Sequence, residues 1–488
     1  MSLTRTIAHQ TIMQAGSKLV SVILGIITIA ALTRFLGQEG YGYYTTAISY
    51  IFFFAVFADF GLYLVTLSEI GKPGINEREL FSNAFTMRLF TSLLLLTGAT
   101  MIIVFFPYPV QVKQGVAIVS LSTLTNLLDQ MHLVILQKHL KMHWSAIAEM
   151  TGKAVILAGT LFMISHNATL NKVFWVVVVG YAIHFTINFI AARKLLPYRL
   201  RVDFTAWKRI LAQAWPVALS GIFVIIYFKA DTILLSLLRP QETAQQEVGI
   251  YGAAYKVLEV LITFPSLFLG LVMPHLANAY REGDRERFQR VMQKSFDFFA
   301  LITMPMIAGV LIRAEPIMIL IAGKDFAISA PILRVLIIAT GIIYLTHLSV
   351  YGVIATQQQK KMMPYYISAA IGAVAVYIYT IPRWSYFGAA WTTVAVELYI
   401  GLAATWLVWK KMRPIISFTV FWKTTIASII MTAGILLFHL TLFPAIIIGG
   451  IVYIIILVAV KGFSRAQIEE IVSLRNNSDT NNSASPLA

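Results

Sequence analysis

The chain has 488 residues, no cysteine, 58% hydrophobic residues and only 12% charged ones. Soluble globular domains carry roughly 25% charged residues, so an ordinary water-soluble enzyme is excluded, as are a disulfide scaffold and a thiolate metal site. The net charge of +16 would suggest nucleic acid in a soluble protein. In a polytopic membrane protein, lysine and arginine instead collect in cytoplasmic loops, and no nucleic-acid partner is expected.

A bilayer-spanning helix needs about 20 apolar residues, and at roughly 35 residues per helix and loop the chain accommodates about 14 spans. Apolar stretches lie at about 12–33, 42–66, 83–106, 114–136, 145–165 and 173–191. A second set lies at about 213–237, 250–273, 295–314, 329–353, 364–381, 387–409, 425–441 and 444–460. The first stretch runs through Ala30 and Ala31 to Arg34 without a clear small-residue cleavage site. It reads as a permanent span rather than a signal peptide. Only Leu442, Phe443 and Pro444 part the last two stretches, which leaves a re-entrant pair open there.

Positive residues alternate from loop to loop. One set of loops carries Lys72 and Arg78, Lys138 and Lys141, a run from Arg193 to Arg209, and another from Arg281 to Lys294. The same set continues with Lys360 and Lys361, then Lys410, Lys411, Arg413 and Lys423. The opposite set holds mainly Arg34, Lys113, Lys172, Arg239, Arg313, Lys324 and Arg383. The positive-inside rule puts both termini in the cytoplasm, with an even number of spans.

Between the spans, Asp203 to Gln213 reads as an interfacial amphipathic helix leading into the seventh span, and Tyr280 to Lys294 as a charged helical connector. The tail from Asn476 is polar and low in complexity, as disordered segments are. Gly42-Tyr43-Tyr44-Thr45-Thr46-Ala47 opens the second span and Gly249-Ile250-Tyr251-Gly252-Ala253-Ala254 the eighth, each with a glutamate just upstream, Glu39 and Glu247. This G-x-Y-x-x-A echo suggests two parallel six-helix repeats, an arrangement transporters use with the substrate path between the halves. Gly37, Gly40 and Gly42 permit a tight turn between the first two spans, and Gly61 and Gly71 a bend or a close helix approach.

The chain resembles the polysaccharide transporter branch of the multidrug/oligosaccharidyl-lipid/polysaccharide exporter superfamily. The residues that carry the resemblance are Arg34-Phe35-Leu36-Gly37-Gln38-Glu39-Gly40-Tyr41-Gly42, Asp59-Phe60-Gly61-Leu62, Asp231-Thr232-Ile233-Leu234-Leu235 and Gly249 to Tyr255 leading to Pro274. Pro331-Ile332-Leu333-Arg334 and Gly388-Ala389-Ala390-Trp391 follow, so that roughly residues 10–410 are covered. The fold implied is all-α: two six-helix bundles around a central cavity, plus two C-terminal helices. The bounds expected are 1–192 and 213–410 for the bundles, 193–212 for the connector, 411–462 for the extra helices and 463–488 for a cytoplasmic tail.

The resemblance implies a flippase, not an enzyme, in the cell inner (plasma) membrane. It would carry a polyprenyl-diphosphate-linked oligosaccharide, an O-antigen or other polysaccharide repeat unit, from the inner to the outer leaflet by alternating access. No G-x-x-x-x-G-K-[ST] loop is present, so an ion gradient or the membrane potential is the expected drive, and no cofactor is implied. Membrane lipids, H+ or Na+ and a polysaccharide polymerase machinery are the expected partners. The alternative is an ion-coupled multidrug/cation antiporter of the same fold, which calls for an acid-dominated cavity.

Charges inside spans are costly and mark functional candidates. Lys18, Arg88, Lys229, Lys256 and Arg334 are the candidate diphosphate ligands, since arginine binds phosphate bidentately and lysine supplies a point charge. Asp231, Glu259 and Glu397 are the candidate ion-coupling carboxylates; a lone carboxyl at low dielectric suits proton exchange. Glu149 with Lys153, at i,i+4, and Lys256 with Glu259, at i,i+3, share helix faces and have a self-neutralising reading beside the functional one. Lys229 and Asp231 point apart, so each calls for a partner on another helix.

Overall fold

The computed structural model describes residues 3–460, and among these every regular element is helical. Twelve helical segments are long and apolar enough to cross a membrane. The first half holds α1 (Leu3–Asp59), α2 (Leu62–Glu69), α3 (Glu77–Ile102), α4 (Val110–Lys138), α5 (His143–Ser165) and α6 (Leu170–Leu195). The second holds α7 (Phe204–Leu238), α8 (Gln241–Arg281), α9 (Arg285–Ala322), α10 (Ala330–Ala355) and α11 (Gln359–Met412), and α12 (Thr419–Leu437) and α13 (Leu442–Ala459) follow.

Two helices are too long for one crossing. At 1.5 Å per residue a helix of 54 residues would extend about 80 Å, against a hydrocarbon core of about 30 Å. Both reverse at one residue in the left-handed region. In α1 it is Gly37, at φ 65°. Residues of both arms, Gly25 and Phe52 among them, line one cavity. In α11 it is Ser385, at φ 51°. The hydroxyls of Thr380 and Thr392, twelve residues apart, lie within 3.3 Å across that hairpin. The fourteen apolar stretches therefore fall on separate helical arms, and α12 and α13 are a pair of distinct span-length helices rather than a re-entrant loop.

One sequence expectation is corrected and two take a definite form. The first turn uses Gly37 alone; Gly40 and Gly42 stay helical. The helix expected at 203–213 forms the first turns of α7, which runs unbroken for 35 residues into the seventh span. Its start is fixed by Asp203 Oδ1, which accepts from the backbone N–H of Thr205 at 2.9 Å and Ala206 at 3.1 Å, an N-cap that satisfies otherwise orphaned donors. The stretch 280–294 is helical as the end of α8 and the start of α9, which part only at a turn through Gly283, with Asp284 capping Arg287 N–H at 2.8 Å. The tail from Asn476 lies outside the described residues.

The second span breaks at Asp59-Phe60-Gly61, where Phe60 and Gly61 both have positive φ, 45° and 71°. The break leaves carbonyls at the end of α1 without helical partners. Arg88 on α3 meets the Asp59 carbonyl at 2.8 Å, and Thr91 donates to the Ala58 carbonyl at 3.2 Å.

The helix α1 packs against α3, α4 and α5 on one side and α7, α8 and α9 on the other. The two halves are joined at one end. Gln246 Nε2 donates to Gln38 Oε1 at 2.7 Å, Thr46 Oγ1 to Gln245 Oε1 at 2.8 Å, and the Tyr108 and Ser236 hydroxyls meet at 2.8 Å. Arg34 reaches across to α9, donating from Nη2 to the carbonyls of Ile319 at 3.0 Å and Leu320 at 2.8 Å. Those carbonyls lie in the last turn of α9, where a cation is favoured, and that of Ile319 also accepts the capping N–H of Gly323 at 3.0 Å.

Candidate functional site: a lysine-lined cavity between the halves

Behind this seal lies a cavity of about 300 Å³ lined by both arms of α1 and by α4, α5, α6, α7 and α8. Its charged lining is Lys153 from the first half and Lys229, Lys256 and Glu259 from the second. Asn126, Gln130 and several hydroxyls add neutral donors, and Tyr41, Tyr44, Tyr181 and Tyr255 add aromatic surface. Three lysines thus face one carboxylate.

Glu259 holds two of them. One carboxylate oxygen pairs with Lys229 and the other accepts from Lys256 Nζ at 2.8 Å. Lys229 also stands 5.0 Å from the centre of the Tyr255 ring. Lys153 makes no ion pair among the described residues. Its expected partner, Glu149, turns instead to Lys18 on α1, 2.9 Å away. Helical spacing put Lys153 within reach of Glu149, but the neighbouring helix offered a better-placed ammonium.

The five candidate phosphate ligands separate by chemistry. Lys229 and Lys256 line the cavity. Lys18 lies outside that lining, paired with Glu149. Arg88 is fully buried behind the wall and spends every guanidinium nitrogen on protein. Nε donates to the Leu127 carbonyl at 3.2 Å, Nη1 to the Asp59 carbonyl and carboxylate, and Nη2 to Gln130 Oε1 at 2.9 Å. Arg334 is exposed away from the cavity, and its Nε donates to the Leu311 carbonyl at 3.0 Å, two residues before the kink at Arg313 in α9. The arginine fork matches several carbonyls at once, so arginines sit at helix breaks and ends while lysines face the cavity.

The three candidate coupling carboxylates also divide. Only Glu259 lines the cavity. Asp231 is buried beside it, accepting from the Tyr251 hydroxyl at 2.6 Å and from Thr232 N–H and Oγ1 at 2.6 and 3.1 Å. Its partner on another helix is a phenol rather than a cation. Glu397 is buried on the second arm of α11 and has no ion pair among the described residues.

Sequence reasoning missed Lys153 as a cavity residue, having assigned it to a local pair. It also missed Arg34 as the residue that caps α9. The position of Arg34 in the Arg34-Phe35-Leu36-Gly37 run carried that signal, since it ends the first arm of α1 beside the reversal.

Three comparisons bear on this geometry. The family model described as "Polysaccharide biosynthesis protein" matches residues 7–279. A putative O-antigen transporter of Shigella flexneri is 21% identical over 413 residues, covering 81% of this chain and 95% of the relative. Among solved structures, the lipid II flippase MurJ in an inward closed conformation superposes with a TM-score of 0.76 at 16% identity, covering 91% of this chain and 98% of that one. A multidrug resistance MATE family transporter in an inward-facing conformation follows at 0.66 and 13% identity, covering 83% and 98%. The fold is that of these transporters, and the chain is a multi-pass membrane protein.

Proposed function

The chain belongs to the polysaccharide biosynthesis protein family, and on that premise we propose that it flips a polyprenyl-diphosphate-linked oligosaccharide, an O-antigen or other polysaccharide repeat unit, across the cell inner membrane. The observation that carries this reading is the set of three lysines, contributed by both halves, facing a single enclosed carboxylate. A diphosphate bears the opposite charge and is too polar to cross lipid unaided. The prenyl chain stays in the bilayer while the headgroup occupies the cavity.

In this reading both termini are cytoplasmic and the halves rock so that the contact at the Gly42–Gly249 end parts as the opposite end closes, alternating access between leaflets. With that end sealed, the cavity is available from the cytoplasmic side. Lys229 and Lys256 receive the diphosphate from one half and Lys153 from the other, so that substrate bridges the two. Glu259 is the counter-ion the diphosphate displaces, and the release of its carboxylate links substrate to H+ or Na+. Asp231 and Glu397 are further carboxylates for that coupling, set back from the cavity. Arg88, Arg334 and Lys18 act by holding helices that carry the lining. A polysaccharide polymerase machinery receives the product. A cation antiporter would need a carboxylate-rich lumen, and three lysines oppose an organic cation.

The test replaces Lys153, Lys229 and Lys256 together by glutamine in cells that depend on this protein. A membrane-impermeant sugar-modifying reagent then reports the leaflet of the lipid-linked oligosaccharide. Accumulation on the cytoplasmic face, with the variant present in the membrane at the normal level, is expected. Unchanged export by such a variant overturns the proposal.

A further inference from the structure

A second basic pocket lies far along the chain from the central cavity, between the two arms of α11. It has a volume of about 480 Å³ and is lined by Lys361 and Tyr365 on the first arm and by Trp406, Lys410 and Lys411 on the second. No acidic residue lines it, and none of the three lysines forms an ion pair among the described residues. In the central cavity Lys229 and Lys256 share Glu259; here no described residue neutralises the lysines. Two of them are positioned by aromatic faces instead. Lys410 Nζ stands 5.0 Å from the Trp406 ring centre and Lys411 Nζ 5.6 Å from that of Tyr280 on α8. Such contacts orient an ammonium while leaving its donors free.

The pocket is built, not incidental. Gln358, itself buried, donates to the Leu407 carbonyl at 3.2 Å and to Thr356 Oγ1 at 3.0 Å, which locks the α10–α11 turn against the second arm. One step along the hairpin, the Ser368 and Tyr399 hydroxyls meet at 2.8 Å and tie the arms together. From there both arms turn apolar faces outward: Ile371 is 65% and Leu402 59% exposed. Trp406, 46% exposed, stands where the lysines give way to the apolar surface. A Trp–Lys boundary of this kind marks the headgroup level of a bilayer.

We propose that this pocket binds the phosphate headgroup of an anionic glycerophospholipid, its acyl chains lying along the exposed faces of the α11 hairpin. The three ammonium groups supply the charge that pairs with the phosphate at the headgroup level. Basic pockets between transmembrane helices at a membrane surface recognise headgroups in this way. The apolar faces that continue from the pocket distinguish a lipid from a free phosphate, which would use the lysines alone. The bound lipid would bridge the two arms of α11 at the end opposite their reversal at Ser385, and so brace the outer wall of the second half.

The test uses the full chain purified in a neutral detergent and offered an equimolar mixture of phosphatidylglycerol and phosphatidylcholine, with retained lipids counted by native mass spectrometry. Phosphatidylglycerol is expected to be retained in preference. The Lys361→Gln, Lys410→Gln, Lys411→Gln triple variant should retain it at least about tenfold less, since one lysine near an anionic lipid accounts for about fivefold. The corresponding triple arginine variant should keep it, which separates lost charge from lost fold. Equal retention of the two lipids, or undiminished phosphatidylglycerol on the glutamine variant, overturns the proposal. Displacement by inorganic phosphate, or preferential capture of an added polyprenyl diphosphate, also overturns it, by reassigning the pocket to a soluble anion or to substrate loading.

Discussion

Gly249 leaves no room for a side chain against Gly42. A Cβ on Gly249 would fall 3.0 Å from the Gly42 backbone nitrogen and 1.8 Å from the Gln38 carbonyl oxygen, and a Cβ on Gly42 would fall 1.7 Å from the Gln245 carbonyl oxygen. These are the glycines that head the two copies of G-x-Y-x-x-A. The repeated motif is thus a contact between the halves, in which each copy presents a bare backbone to the other. Small residues allow helices to approach this closely in membranes.

A branched side chain at either glycine should therefore unseat this end of the cavity. With no native cysteine, a Gln38→Cys, Gln246→Cys pair reports its closure, because those side chains meet in the native protein. Adding Gly249→Val should cut the rate of cross-linking by a short thiol-reactive bis-methanethiosulfonate by about tenfold, equivalent to about 1.4 kcal/mol against the closed contact and within the range overpacking costs. Cross-linking at the unmodified rate would mean that the helices do not meet as described.

The pair Arg88 and Asp59 should behave as a structural clamp. Arg88 is fully buried and the Asp59 side chain 35% exposed, so losing Arg88, which strands the Asp59, Leu127 and Gln130 oxygens, costs more than losing the carboxylate. Arg88→Met is expected to lower the melting temperature in detergent and the level in the membrane. Asp59→Asn should be milder, since Arg88 still holds the Asp59 carbonyl, the Leu127 carbonyl and Gln130. A stable Arg88→Met protein with selectively weakened diphosphate binding would instead make Arg88 a ligand.

Much of this architecture was legible in the sequence because it is written in one dimension. The apolar stretches, the reversal at Gly37 and the break at Gly61 follow from hydropathy and from where glycine stands. What could not be read was choice of partner across helices. Spacing along α5 allowed Glu149 to meet Lys153, yet Lys18, 131 residues away, takes it. Spacing likewise said that Lys229 and Asp231 part company, but not that one finds Glu259 and the other Tyr251. Depth was equally invisible. Arg88 and Lys229 look alike as charges within spans, and only packing sends the first to a helix break and the second to the cavity.

Arg34 should tolerate replacement by lysine poorly. Its guanidinium meets the carbonyls of Ile319, Leu320 and Ile321 on α9 and of Ala30 on its own helix. A single ammonium cannot span that set. Arg34→Lys and Arg34→Ala are both expected to slow cross-linking of the Gln38→Cys, Gln246→Cys pair, with lysine recovering less than half of the loss. Full recovery by lysine would mean that charge at the end of α9, rather than the fork, is what counts.

Glu259 carries the sharpest expectation for transport. Its carboxylate engages Lys229 and Lys256 at once, so a phosphate entering the cavity competes with it for both. Glu259→Gln keeps the shape and removes the competing charge, and charge-assisted hydrogen bonds are roughly twice as strong as neutral ones. The variant should therefore bind a short polyprenyl diphosphate more tightly, by about tenfold, a gain of about 1.4 kcal/mol. It should also turn over more slowly, because the lysines no longer have a carboxylate to return to when the substrate leaves. Binding by calorimetry and export by the leaflet assay separate the two effects. Weaker binding in Glu259→Gln would mean that the carboxylate supports the lysines in holding substrate, and would remove it from the role of displaced counter-ion.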